Sequence, residues 1–239
     1  MRRRTRSHST FSAGRTARPG CASAPAVTSS SGSSGAMALK PREIHLTTPI
    51  SEEDVRGLRL LDRVYLSGTL WGIRDANLRR HLDEGVPLPD GVDYHDHPVL
   101  HEGSGYRRRD DGEWELTSGM GATTSTRMER WMSELITRYQ CRVIWGKGGL
   151  REGSTRACRE QGCVYVNTVG GAAAYYDERV KIRNVFWPDL TSQAVLELEV
   201  VNYGPGIVTI DCHGNNHNLQ VLEQARDRRA ARPANGAPR

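Results

Sequence analysis

The chain has little cysteine: five residues (Cys21, Cys141, Cys158, Cys163 and Cys212) with no CxxC pair among them. Such spacing builds no disulfide framework and suits buried thiols in a reducing compartment. Cys158 and Cys163 stand five apart, too far round a helix to share a face. No apolar run approaches the ~20 residues that span a bilayer, and the expected location is the cytoplasm. No internal repeat is present. Acid is missing from the first 42 residues, which carry eight Lys or Arg and no Asp or Glu. Residues 225–239 carry five Arg against Asp227. Taking these two basic ends, net +8 and +4, from the total of +5 leaves residues 43–224 at −7. An acidic folded part argues against a broad nucleic-acid surface, so each cation inside a functional site has to be placed individually.

What is present divides into an Arg/Ser-rich extension over 1–41, a domain over 42–224 and a basic tail over 225–239. The extension ends in SSSGSSGAM and lacks the periodic apolar residues that offset ordering entropy, so disorder is expected there. Its composition resembles an organellar transit peptide, while Met37 equally marks an alternative start. The other end is expected to be a fraying helix and a loose tail. Between them, short β-rich runs alternate with amphipathic helices, the pattern of a layered α/β domain. Asp62–Ile73 reads as a strand interrupted at Gly68, and Gly112–Ser118 as a half-buried strand. From Thr123, the positions Met128, Trp131, Met132, Leu135, Ile136 and Tyr139 step by three or four and predict one helical face. Cys141–Gly149 reads as a buried strand that ends in glycines. Helices near Ser154–Gln161 and Gly170–Tyr176 and strands at Val164–Val169 and Val185–Trp187 continue the alternation. Ala194–Gly214 reads as two strands joined by a turn at Gly204-Pro205-Gly206.

Five segments can carry chemistry. TTSTR, Thr123–Arg127, gathers hydroxyls and free N–H groups at a helix start, where an anion is favoured and an Arg one turn in can reach it; a simple N-cap is the plainer reading. WGKGG, Trp145–Gly149, sets Lys147 between glycines at a strand end, where a backbone can approach a ligand. It is not a P-loop, because no Ser or Thr follows Lys147. SGTLWGIRD places Arg74 at another strand end, able to clamp a carboxylate or to pair with Asp75. IDCHGNNHN spaces His213 and His217 as a zincin does but lacks the catalytic Glu, so a polar turn before the last helix is expected. DYHDHPVLH offers His95, His97 and His101 as metal ligands, which leaves a metal-dependent hydrolase open.

In order and spacing, LTTPISEEDVRGLRLLDRVYLSGTL, RDAN, TTSTRM, WGKGG and IDCHGNN resemble the β subunit, or C-terminal domain, of class I fumarate hydratases and L(+)-tartrate dehydratases. The resemblance runs from about Ile44 to Leu222. It implies a swivelling β/β/α domain packed on a larger α subunit that holds a 4Fe-4S cluster on three cysteines, in an α2β2 assembly. It implies substrate binding by Arg74, Thr123, Arg127 and Lys147, with Thr123 where a threonine serves as catalytic base. The implied activity is a hydro-lyase acting on fumarate/malate or tartrate/oxaloacetate; a non-catalytic dicarboxylate-binding module is the alternative. Three positions depart from the family pattern: Leu78 where RDxxH has His, Ala122 where Pro precedes the paired threonines, and HEGS at His101–Ser104 for an HAGP-like segment.

Overall fold

A computed structural model describes residues 41–231, which form one compact unit. The extension before residue 41 and the last eight residues, with the disorder expected of them, lie outside the described residues. In chain order the elements are β1 Glu43–Thr47, α1 Glu52–Arg56, β2 Arg63–Ile73, α2 Asp75–Leu78, β3 Pro98–His101, β4 Tyr106–Arg108, β5 Trp114–Leu116, α3 Glu129–Tyr139, β6 Val143–Gly146, α4 Glu152–Gln161, β7 Val164–Asn167, α5 Ala173–Asp177, β8 Val180–Phe186, β9 Val195–Ile210 and α6 His217–Ala230.

Strands β2, β3, β6 and β7 are parallel neighbours, and the long β9 runs antiparallel to both β7 and β2. The five strands therefore close on themselves, and closure leaves two walls facing each other across one core. On β3, β6 and β7 both faces are covered, and these strands read as continuous buried runs. In β6, Val143 and Trp145 point into the closed core, while Ile144 joins Met132, Leu135 and Ile136 of α3 beneath the outer helices. The layering is β, β, α, an α/β fold. Burying each such side chain stabilises by ~1.5–3 kcal/mol.

Two departures from the sequence reading concern glycine. Strand β2 is not broken at Gly68 but bent there, at φ +105°, and Thr48 Oγ1 approaches to accept from Thr69 N at 2.7 Å. A Cβ at Gly68 would lie 2.1 Å from that oxygen. The bend lets β2 pair with β1 along Arg63–Ser67 and with β3 from Trp71 onward. The expected turn at Gly204-Pro205-Gly206 does not exist, because β9 runs straight through it. Pro205 sits at an irregularity in the ladder between Val64 and Leu66, where its missing N–H is tolerated. Gly206 packs so closely against the closed core that a Cβ would lie 2.4 Å from both Trp145 and Val166. At the C-terminal end, α6 extends through Ala230 with no buried residue.

Candidate active site

The parallel strands end level with one another. Ile73 of β2 lies opposite His101 of β3, Leu100 opposite Trp145 of β6, and Gly146 opposite Asn167 of β7. Just past this edge the chain delivers Arg74, the HEGS segment and Lys147. The Thr123–Arg127 turn is tied across the same edge: Thr123 N donates to His101 O at 2.7 Å and Ser125 N to Lys147 O at 3.0 Å. Arg127 Nη2 donates to Thr123 Oγ1 at 2.8 Å and lies 3.7 Å from Asp75 Oδ1. The four residues singled out by sequence, Arg74, Thr123, Arg127 and Lys147, thus stand on one edge although they come from three segments.

The local chemistry explains how the edge is held. The guanidinium of Arg74 lies against Gly103, where a Cβ would come within 1.9 Å of Nη1. No other described residue pairs with its charge, and its buried Nε has no hydrogen-bond partner. Lys147 likewise has no ion pair among the described residues. Asp75, read as a surface partner for Arg74, instead faces Arg127 in an exposed pair that contributes little to stability. Its buried Oδ1 is otherwise unmatched.

Several expectations change. The TTSTR hydroxyls do not cap a helix: residues Ser125–Met128 form a 3-10 turn ahead of α3, and Thr124 at its N-cap makes no side-chain bond. Three of the four hydroxyls have other partners, Thr123 with Arg127, Thr126 with Gly149 O at 2.8 Å, and Ser125 with the buried His101 ring at 2.9 Å. The three-histidine metal reading loses its geometry, because His95 and His97 precede β3 while His101 ends it. Asp211 accepts from His213 N and Asn215 N, and Asn216 caps α6 by accepting from Leu219 N, so IDCHGNNHN is the polar turn expected. The described cysteines do not fit cluster ligation at this edge: all four are buried, and Cys141, Cys158 and Cys163 pack under the helices. A cleft of about 670 Å³ lies beside the edge, lined by Thr126, Gly148 and Gly149 with α6 residues. Its walls hold none of the four residues singled out by sequence, and on the edge itself the Arg127 side chain is 48% exposed.

A family model described as the fumarase C-terminus matches residues 15–221. The chain belongs to the fumarase C-terminus family. It is similar to the L(+)-tartrate dehydratase subunit beta of Escherichia coli (strain K12), 34% identical over 187 residues that cover 76% of this chain and 91% of that one. A putative L(+)-tartrate dehydratase subunit beta of Methanocaldococcus jannaschii is 35% identical over 177 residues, covering 70% and 87% of the two chains. A putative class I fumarate hydratase of Geobacillus stearothermophilus is 33% identical over 179 residues, 73% of this chain but 33% of that longer protein.

Within this fumarase C-terminus domain, residues that the sequence left unassigned adjoin the edge. Glu102 follows His101 but faces the opposite side of the sheet, its Cγ and Oε1 packed 3.1 Å from where a Cβ at Gly72 would lie. It is buried, and Oε2 accepts from Ser104 N at 2.5 Å. Burial pushes its carboxyl up to about 7, against the pull of the Ser104 bonds and the Arg74 charge. Burial drives His101 the other way, down to about 3, so its ring is neutral. The HEGS departure was the signal for Glu102. Nothing in VYVNTV marked Tyr165, whose hydroxyl reaches Ser125 Oγ at 2.9 Å inside the helix-covered layer. No helix among the described residues is long and apolar enough to cross a membrane.

Proposed function

We propose that this chain is the β subunit of an iron-sulfur hydro-lyase that adds or removes water on a small dicarboxylate, fumarate/malate or tartrate/oxaloacetate, in the cytoplasm. The observation that carries the reading is the pair of unmatched cations, Arg74 and Lys147, on the edge that also presents Arg127 and Thr123. An acidic domain that leaves two positive charges unpaired at one edge is arranged for an anion.

The reaction asks for this arrangement. Removing a proton next to a carboxylate takes a substrate of charge −2 toward −3, and preorganised cations stabilise the added charge more strongly than water does. Arg74 and Arg127 offer guanidinium forks to the carboxylates, and Lys147 adds a point charge on a glycine-flanked loop. Thr123 is the proton-handling group in this reading. An alcohol is a weak base near neutrality, so its proximity to Arg127, 2.8 Å away, is what makes the role feasible. A 4Fe-4S cluster held by an α subunit would supply Lewis acidity at the departing hydroxyl. The open edge agrees with a site completed by that partner, in an α2β2 assembly.

Anaerobic coexpression with an α-type chain, followed by assays on fumarate, malate and tartrate, tests the reading. Turnover by the complex and none by this chain alone is the expected result. Binding of malate by the isolated chain, seen as thermal stabilisation, together with an inactive complex would replace the enzyme by a dicarboxylate-binding module.

A further inference from the structure

Behind the Thr123–Arg127 turn lies a buried hydrogen-bond chain that the proposed function leaves unused. The Tyr165 hydroxyl of β7 lies 2.9 Å from Ser125 Oγ, and the same oxygen lies 2.9 Å from His101 Nδ1. All three residues are 0% exposed. The chain fits only because residue 146 is glycine: a Cβ there would lie 2.1 Å from Ser125 Oγ and 3.3 Å from both His101 Nδ1 and the Tyr165 oxygen.

Its direction follows from counting unmet groups. If Tyr165 donates to Ser125 and Ser125 donates to His101 Nδ1, the ring carries its proton on Nε2, and Nε2–H alone lacks a partner. Reversed, the Tyr165 O–H and the Nε2 lone pair are both left unmet, and each buried unmet group costs ~1–3 kcal/mol. The first direction is favoured. Burial keeps the tyrosine protonated and the imidazole neutral, so neither end loses this polarity near pH 7.

His101 grips the turn at two points, its carbonyl on Thr123 N and its ring on the Ser125 hydroxyl, while Ser125 N holds Lys147 O. We propose that Tyr165, Ser125 and His101 form a directional strut that positions Thr123 and Arg127 relative to Lys147, with His101 fixed as the neutral Nε2–H tautomer. These are positioning residues. Their effect on turnover rests on the dicarboxylate reading; the tautomer and the strut do not.

Two measurements on the full chain test this. With ¹⁵N-labelled histidine, one ring should show the neutral Nε2–H signature and fail to titrate between about pH 5 and 8. Ser125→Ala should abolish that signature, whereas Tyr165→Phe should keep it, because Ser125 still donates. In the active complex, Ser125→Ala should lower kcat/KM about tenfold or more through misplacement of the turn, with Tyr165→Phe lowering it less. A titrating His101, an Nδ1–H tautomer, or a Ser125→Ala protein with wild-type tautomer and kcat/KM would overturn the strut. If Ser125→Ala does not fold, the spectra of the wild type and Tyr165→Phe decide alone. An inactive complex that still shows the Nε2–H signature would sink the dicarboxylate reading and leave the strut standing.

Discussion

At the leading ends of the parallel strands, buried charges are matched. Asp62, before β2, accepts from Arg42 Nε at 2.9 Å and from Arg59 N at 2.8 Å. Arg142, before β6, donates to Asp96 at 2.8 Å and to Gln161 O at 2.7 Å. One hydroxyl nearby, Thr209 Oγ1, is unmet. At the trailing ends of the same strands, Arg74 Nε, Asp75 Oδ1, His101 Nε2 and Asn167 Oδ1 are all buried without a hydrogen-bond partner. The two ends are built from the same residue types. In the proposed reading, charge at the leading end holds the fold, while charge at the trailing end is kept for a substrate. An unmet buried polar group is destabilising, so a cluster of them at one edge calls for an occupant.

Mutations at the two ends should therefore fail in different ways. Arg42→Ala leaves the Asp62 carboxylate, 4% exposed, short of its half-exposed cation while Arg59 N still donates to it, and should cost about 1–3 kcal/mol of stability. Chemical denaturation measures this, and the folded fraction should keep wild-type kcat/KM.

Glu102 gives a pH test at the trailing end. Between its ordinary value of 4.5 and its folded value of about 7, the folded state holds a proton that the unfolded state has lost. Stability should therefore fall as pH rises across that window, by roughly 3 kcal/mol in all, and level off above it. His101 has the opposite sign: its neutral form is favoured by the fold, so stability is lost as pH falls from 6.5 toward about 3. The two slopes oppose each other between 4.5 and 6.5. Glu102→Gln should remove the alkaline loss and leave the acid loss, which denaturation midpoints from pH 4 to 8 would reveal.

Arg74→Ala should change stability by less than about 1 kcal/mol, because it loses no close ion pair and only a weaker pull on Glu102, yet lower kcat/KM of the complex about hundredfold. Equal loss of stability and activity would erase the contrast between the ends. Gly146→Ala should cost about 1–3 kcal/mol, because its added methyl would lie 2.1 Å from the buried Ser125 Oγ and force that hydroxyl aside.

Much of this contrast was legible from sequence. The apolar steps from Met128 to Tyr139 gave the buried face of α3, and the glycines after Trp145 marked a strand end. The order of RDAN, TTSTRM and WGKGG brought together residues that no single motif justified. Other features were not legible, for physical reasons. Gly-Pro-Gly in β9 looks the same in a tight turn and in an irregular strand, and only pairing on both sides distinguishes them. The TTSTR hydroxyls have the composition of caps, but their partners come from Arg127, Gly149 and His101, two of them distant in sequence. His101 looked like a metal ligand beside His95 and His97 because sequence proximity hides the length of β3. Tyr165 sits in an apolar run, where nothing reveals that its hydroxyl has a buried acceptor.

The central claim, that the trailing edge is a dicarboxylate site, meets its most direct test in steady-state kinetics of the anaerobically coexpressed complex with and without Arg127→Ala. The account predicts turnover of fumarate or tartrate by the wild type and a loss in kcat/KM of about hundredfold in the variant, with an unchanged melting temperature. A loss of less than about tenfold in a folded variant would contradict it.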